Sequence, residues 1–236
     1  MSNQCLVILS GGQDSTTCLA VAKQVFDKVH CVTFDYGQKH SIEIESAVQI
    51  GKIMGVESHE VIELGKVLKG TSPLVSDNQV PEYSAPGDVP DGIASTFVPS
   101  RNALFLTIAS NRAIVRGIDT LFTGVCETDY SGYPDCRRVF IDALQDALSL
   151  ANFGEPGKFI IETPLMSLTK AQSVHLAMEV MGDKFESIMK LTHTCYQGVK
   201  GGCGKCAACL LRDRGFQEAG VPDPIWKHRE LQPVTA

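Results

Sequence analysis

Five short apolar runs, each followed by a stretch of helical length, limit this chain more than any other feature. CLVIL (5–9), VHCVTF (29–34), VESHEVI (56–62), DTLFTG (119–124) and KFIIE (158–162) read as strands. Segments 15–26, 41–54, 102–116, 137–150 and 169–181 have the length and apolar spacing of helices. Strand and helix in strict alternation predict an α/β fold, a parallel sheet covered by helices on both faces, with ligands held beyond the carboxyl ends of the strands. With 236 residues, 44% of them hydrophobic, the chain can bury one large core. The expected organisation is an α/β domain over 1–190 and a small C-terminal region over 191–236. Residues 71–101 break the alternation and hold five of the eleven prolines (Pro73, Pro81, Pro86, Pro90, Pro99), so a lid, a binding loop or a disordered insert is expected there.

Charge and cysteine usage narrow the function classes. A net charge of −6 offers a polyanion no overall attraction, which disfavours nucleic acid as the main partner. No stretch approaches the roughly 20 apolar residues of a membrane helix, and MSNQCLVILS has no basic region ahead of a cleavable apolar segment, so a cytoplasmic location is expected. Nine cysteines is an odd number, and three of them crowd into 203–209. A metal or redox site therefore fits better than a disulfide framework.

In LVILSGGQDSTTCL (6–19) a strand runs into two glycines, an acid and several hydroxyls before apolar residues resume. A turn at Ser10–Gln13 opening into a helix near Asp14 would aim free backbone N–H groups and the positive end of the helix dipole at an anion. The hydroxyls of Ser10, Ser15 and Thr16 would add donors. The glycines would let the backbone approach that ligand closely, and a phosphate or pyrophosphate is the preferred guest. The plainer alternative is that Asp14 or Ser15 only caps the helix. No GK[ST] follows, so this is not a Walker loop.

Near the other end, TCYQGVKGGCGKCAACLLR places Cys195, Cys203, Cys206 and Cys209 at C-x7-C-x2-C-x2-C among four glycines. Four thiolates in a tight knuckle suit tetrahedral structural zinc, and the last two can come from one helical turn. An iron–sulfur cluster is the competing reading. Cys5, Cys18 and Cys31 lie in strand and helix patterns and read as small core residues.

Three polar stretches fall at strand ends on the side of the glycine turn: FDYGQKH (34–40), FVPSRN (97–102) and GVCETDYSGYPDCR (124–137). In the last, Glu127, Asp129 and Asp135 accompany Tyr130, Tyr133 and Arg137, a mixture able to stack on and hydrogen-bond a flat heterocycle. The candidates for substrate contact are Phe34, Tyr36, Gln38, Arg101, Glu127, Asp129, Tyr133 and Asp135. The fork of Arg101 suits a carboxylate or phosphate oxygen.

SGGQDS resembles the pyrophosphate loop of the ATP pyrophosphatases, which split ATP into AMP and pyrophosphate and adenylate a substrate oxygen. The resemblance implies that Leu9, Ser10, Gly11, Gly12, Gln13, Asp14, Ser15, Thr16 and Thr17 contact ATP, and that Asp14 helps to hold Mg²⁺. It further implies that Lys170, opening the helix after ETPLMSLT, is a cationic partner of the phosphates, its plainer alternative being an exposed helix-end lysine. Taken in order over about residues 5–212, SGGQDSTTC, VTFDYGQKH, TFVPSRN, GVCETDYSGYPDCR, ETPL and the cysteine knuckle are similar to the 7-cyano-7-deazaguanine synthase family of queuosine biosynthesis. That likeness implies an adenine-nucleotide alpha-hydrolase-like sheet carrying a Zn²⁺ knuckle and a homodimer. The implied reaction converts 7-carboxy-7-deazaguanine and ammonia, with ATP, into the nitrile through adenylated and amide intermediates, with Asp14, Arg101 and Lys170 as the catalytic set. Ser100 departs from the family's pattern, standing where glycine is expected. A tRNA sulfur transferase of the same loop family and an ATP-binding regulatory module are the alternatives.

Overall fold

The computed structural model describes residues 3–90, 92–127 and 132–227. Its centre is a five-stranded parallel sheet, β1 (Gln4–Ile8), β2 (Lys28–Asp35), β3 (Ser58–Glu63), β4 (Thr120–Phe122) and β5 (Ile160–Glu162), in the order β3-β2-β1-β4-β5. Leu6 of β1 is paired with His30 on one side and Leu121 on the other, so the first strand of the chain is the middle strand of the sheet.

Alternation along β1 explains why both of its faces are apolar. Cys5, Val7 and Leu9 point into a core built with α1 (Gln13–Val25), α2 (Ile42–Met54) and α5 (Lys170–Met181). Leu6 and Ile8 point the other way, into a core with α3 (Arg101–Ile114) and α4 (Arg138–Phe153). A strand covered on both sides has no solvent face to mark with polar residues, so it reads as a continuous hydrophobic run. Each fully buried leucine here, such as Leu19 or Leu106, contributes about 1.5–3 kcal/mol. Cys5, Cys18 and Cys31 are buried core thiols as expected, and burial pushes Cys5 up to about 12.

The expected strands and helices all form, with ends that move by a few residues. α1 begins at Gln13 with Gly12 as its N-cap and no side-chain cap, so neither Asp14 nor Ser15 is spent on capping. α4 runs on to Phe153 and stops at Gly154, whose left-handed backbone (φ 76°) suits glycine. α5 is closed by a capping box between Thr169 and Gln172. Three helices follow that the apolar pattern did not reveal, α6 (Phe185–Met189), α7 (Ala207–Glu218) and α8 (Pro224–Lys227). Among the described residues no helix is long and apolar enough to cross a membrane.

Gly11 has a more local task than expected. Its φ is +83°, and a Cβ there would fall 2.2 Å from the Glu43 carbonyl oxygen and 2.8 Å from the Ala47 nitrogen, so it lets the turn seat on α2. Left-handed strain of about 1–2 kcal/mol and a clash with backbone of similar size should together lower the stability of Gly11→Ala by roughly 3 kcal/mol. A thermal melt within two or three degrees of the parent would contradict this packing.

Candidate active site and metal centre

At the carboxyl end of the sheet, β1 pairs outward to β2 on one side and to β4 on the other, and connections leave in opposite directions. This crevice is where doubly wound sheets take their ligands. A cavity of about 320 Å³ opens there.

Its floor is the turn after β1. The Ser10 and Ser15 hydroxyls lie 3.0 Å apart, the Ser10 N–H donates to Ser15 Oγ (3.1 Å), and Ser15 Oγ donates to the Gly12 carbonyl (3.2 Å). These bonds hold the turn open, and the first-turn N–H groups of α1 have no partner within the helix. Gly124, after β4, packs so closely that a Cβ would meet the Ser15 nitrogen at 2.9 Å, which fixes the start of α1 against the sheet. Thr16 and Thr17 face inward instead, donating to the carbonyls of Gly12 (2.8 Å) and Gln13 (2.9 Å), and neither is on the cavity wall. Leu9, Ser10, Gly12, Gln13, Asp14 and Ser15 do line it; Gly11 does not.

Lys170 is not an exposed helix-end lysine. Its side chain is 10% exposed and donates from Nζ to Asp14 Oδ2 at 2.8 Å. Its stem crosses α7 at Gly215, where a Cβ would stand 2.4 Å from Lys170 Cγ. Two buried polar atoms of the floor have no protein partner, Asp14 Oδ1 and Gln13 Nε2. An orphaned carboxylate oxygen next to an orphaned amide donor is costly unless a polar guest completes it, and a cation on Oδ1 with a phosphate oxygen near Nε2 would do so.

The far wall is aromatic. Phe34, Tyr36 and Gln38 line it with Arg101, Phe105, Tyr133 and Tyr196. The rings of Phe34 and Phe105 stack at 4.3 Å, and Tyr133 is held by Thr96 through a 2.7 Å hydrogen bond. Burial suppresses the acidity of the Tyr36 hydroxyl, and the charge of Arg101 nearby opposes that effect. Val89, Ala94 and Thr96 of the 71–101 segment also face the cavity. That segment is pinned to the knuckle by the Tyr83 N–H on the Lys205 carbonyl (2.8 Å) and by Gln197 on Glu82 (2.9 Å). It runs as a strap over the cavity.

Two expected contacts lie off the wall. The Glu127 carboxylate accepts from the Arg138 N–H and so caps α4, while Asp135 accepts from the Asn102 N–H (3.2 Å) and ties α3 to the loop carrying Tyr133. Asp129 lies outside the described residues. The wall also holds Glu43, Thr194, Tyr196, Arg212 and Arg214, which sequence reasoning missed. Only Glu43 had any local signal, an acid in a helix's first turn.

Ser100, just before Arg101, is the one non-glycine with positive φ (62°) among the described residues. The departure from glycine therefore falls where glycine is easiest. Relieving about 1–2 kcal/mol of left-handed strain, less glycine's extra chain entropy, should make Ser100→Gly more stable by roughly 0.5–1 kcal/mol, read as a melting temperature raised by about 1–4 °C. An unchanged or lower value would refute it.

The four cysteines of the knuckle converge, with their sulfur atoms all within 4.8 Å of one another and Cys203 and Cys209 at 3.9 Å. Sulfurs around tetrahedral zinc at 2.3 Å stand about 3.8 Å apart, so the set can hold a metal ion. N–H groups of Lys205 (3.4 Å) and Cys206 (3.2 Å) already point at Cys203 Sγ. Donation from Cys206 and Cys209 holds the Cys195 thiol far below its ordinary range, while sharing with Cys195 pushes Cys206 up. The knuckle reaches the cavity through α7. Arg212, 2% exposed, forks onto Asp223 (2.6 and 2.8 Å) and donates to Thr192 (2.7 Å) and Thr194 (3.2 Å), clamping α7 to the cavity wall.

A parallel α/β sheet with a glycine turn at its crevice and a four-thiol cluster beside it places the chain among adenine-nucleotide alpha-hydrolase-like proteins. The chain belongs to the family described as queuosine biosynthesis protein QueC, whose model it matches over residues 4–220. A 7-cyano-7-deazaguanine synthase from Gloeobacter violaceus is 55% identical over 230 residues, 98% of each chain. Among solved structures, a predicted subunit of a tRNA methyltransferase from Methanocaldococcus jannaschii overlaps at TM-score 0.48 with 21% identity, over 75% of this chain and 74% of that one. An NH3-dependent NAD synthetase from Campylobacter jejuni overlaps at 0.44 with 14% identity, over 78% and 66%.

Proposed function

We propose that this chain is a 7-cyano-7-deazaguanine synthase that uses ATP and ammonia to turn 7-carboxy-7-deazaguanine into the nitrile, in the cytoplasm and as a homodimer. The near full-length relative of that name supports the substrate. One observation of the site carries the chemistry: a single cavity joins the turn at Ser10–Ser15 to the aromatic wall of Phe34, Tyr36, Phe105 and Tyr133, so a nucleotide phosphate and a flat heterocycle can meet in it.

In this reading a carboxylate oxygen is a poor leaving group until it is adenylated, and the site's task is to align it with the α-phosphate and stabilise the charge that departs. The turn's N–H groups, Ser10, Ser15 and Lys170 would hold the phosphates, Asp14 would help to hold Mg²⁺, which neutralises phosphate charge, and Arg101 would orient the carboxylate. The aromatic wall holds the ring, with Gln38 beside it. Ammonia converts the acyl adenylate to an amide, and a second adenylation makes the amide oxygen leave as the C≡N bond forms. The four cysteines would hold Zn²⁺, which supplies structural cross-linking rather than chemistry. No protein nucleophile is needed. With a net charge of −6, a tRNA-directed role has no support beyond the loop itself.

The test is product mass spectrometry over time with ATP, Mg²⁺, ammonium and the acid. The amide should appear and then be consumed, and AMP and pyrophosphate should form only when the acid or the amide is present. AMP release with neither of them present, or nitrile formation by an enzyme that ignores added amide, would overturn the scheme.

A further inference from the structure

Both rounds of the proposed reaction shed protons from nitrogen. When NH3 attacks the acyl adenylate, the new C–N bond leaves nitrogen one proton in excess, and that proton must go as AMP departs. In the second round, the amide nitrogen loses one proton when its oxygen is adenylated. The resulting R–C(=NH)–O–AMP loses its last N–H proton as the C–O bond breaks and the lone pair completes C≡N. None of these steps changes an oxidation state, but each needs a group that accepts a proton beside the reacting carbon.

The reacting carbon must lie where the two halves of the cavity meet, between the phosphate-holding turn and the aromatic wall. Glu43 stands at that junction. It sits in the first turn of α2, its carbonyl oxygen faces Gly11 of the turn at the closest approach there, and its side chain lines the cavity. Arg101 from α3 and the Gln38 amide lie near enough to its carboxylate to favour the charged form. It also lies close enough to the Tyr36 hydroxyl to oppose that group's ionisation.

Asp14, Tyr36, Tyr196 and His193, four other titratable groups of the described wall, are each occupied or poorly suited to accept a proton. Asp14 is engaged by Lys170. Burial keeps Tyr36 and Tyr196 protonated, and phenols that hold their protons are poor acceptors. His193 donates from Nε2 to the Cys195 carbonyl (3.0 Å), two residues from the first thiol of the metal centre.

Resting on the function proposed above, we infer that Glu43 is the catalytic base that takes the nitrogen-bound protons in both rounds and passes them to solvent. Its environment agrees. Burial pushes the carboxyl up to about 7, opposed by the charge of Arg101 and the nearby Gln38 amide. A base of that strength is half deprotonated at neutral pH and still basic enough to accept a proton.

The experiment uses the whole chain and separates adenylation from proton removal. Acid-dependent exchange of labelled pyrophosphate into ATP reports formation of the acyl adenylate, which needs no nitrogen. Turnover of the added amide to nitrile reports a step free of ammonia, so its pH profile is not distorted by the ammonium equilibrium. For the parent, amide turnover should rise with pH through an inflection near 7 to a plateau, because the base works deprotonated. Glu43→Gln should keep exchange within about threefold and ATP binding unchanged, yet lose 10²–10⁴-fold in amide turnover together with the inflection. Glu43→Asp, which keeps the carboxylate, should recover part of the rate and retain an inflection, and it supplies the same readout if the glutamine variant folds poorly. Glu43→Gln turning over amide within threefold of the parent, or losing exchange and ATP binding in step with turnover, would overturn the role. Absence of acid-dependent exchange in the parent would instead reject the function on which it rests.

Discussion

Replacing Cys206 by serine is expected to lower the melting temperature by about 6–20 °C and to abolish turnover in the same step. Breaking a four-thiol site removes folding free energy; a loss of roughly 3–5 kcal/mol lies well below the 10–16 kcal/mol that zinc contributes to small zinc-finger peptides. In a chain of this size each kcal/mol shifts the melting point by about 2–4 °C. From spacing alone, such a change should harm stability before chemistry. The structure removes that separation, because Cys206 caps α7, and Ala207, Ala208, Leu210, Leu211, Arg212 and Arg214 of α7 line the cavity. Metal analysis should give one zinc per chain in the parent and little in the variant. Iron with inorganic sulfide in anaerobically purified protein would restore the cluster alternative, and a variant that melts lower but turns over normally would refute the coupling.

Asp14→Ala should lower turnover by two to three orders of magnitude, the usual cost of removing one preorganised group from a charge-stabilising site. Asp14 sits in a polar turn, where a substitution away from a special contact costs the fold little. The 2.8 Å pair with a Lys170 that is 10% exposed is such a contact. The ammonium would lose the carboxylate it meets at 2.8 Å, at a cost of about 1–3 kcal/mol. Asp14→Ala paired with Lys170→Met separates the two effects. The double variant should recover most of the lost stability in a thermal melt and none of the activity. Recovery of acid-dependent pyrophosphate exchange in either Asp14 variant would count decisively against its place in the nucleotide site.

What was legible in the sequence was local. The turn after β1 is contiguous, so its glycines, hydroxyls and helix start could be read together, and the knuckle's four thiols fall within fifteen residues of one another. The five strands were visible because residues buried on two sides leave unbroken apolar runs. The rest depends on contacts across the chain. Nothing in IEIES marks Glu43 over Glu45 as the acid that turns toward Arg101. Glu127 looked like a ligand-binding acid because of its company, whereas its carboxylate reaches the N–H of Arg138 eleven residues on. α7 escaped notice because AACLLRDRGFQE buries an arginine and faces both the core and the cavity, which blurs the amphipathic stripe that reveals a surface helix. The packing of Gly11 against α2, over thirty residues away, left no mark in the turn itself.

The central place of β1 has a consequence for how the chain is made. β1 gains β2 as a neighbour almost at once, yet its other edge waits for β4, which begins at Thr120. At a synthesis rate of about 5–20 residues per second, the unpaired edge of Cys5–Ile8 stays open for roughly 5–20 s after β1 is made. During that interval the nascent three-strand half carries the most apolar strand of the protein at its rim, a template for pairing with other chains. The ribosome-bound stage, rather than the finished enzyme, is where this fold is most exposed to aggregation.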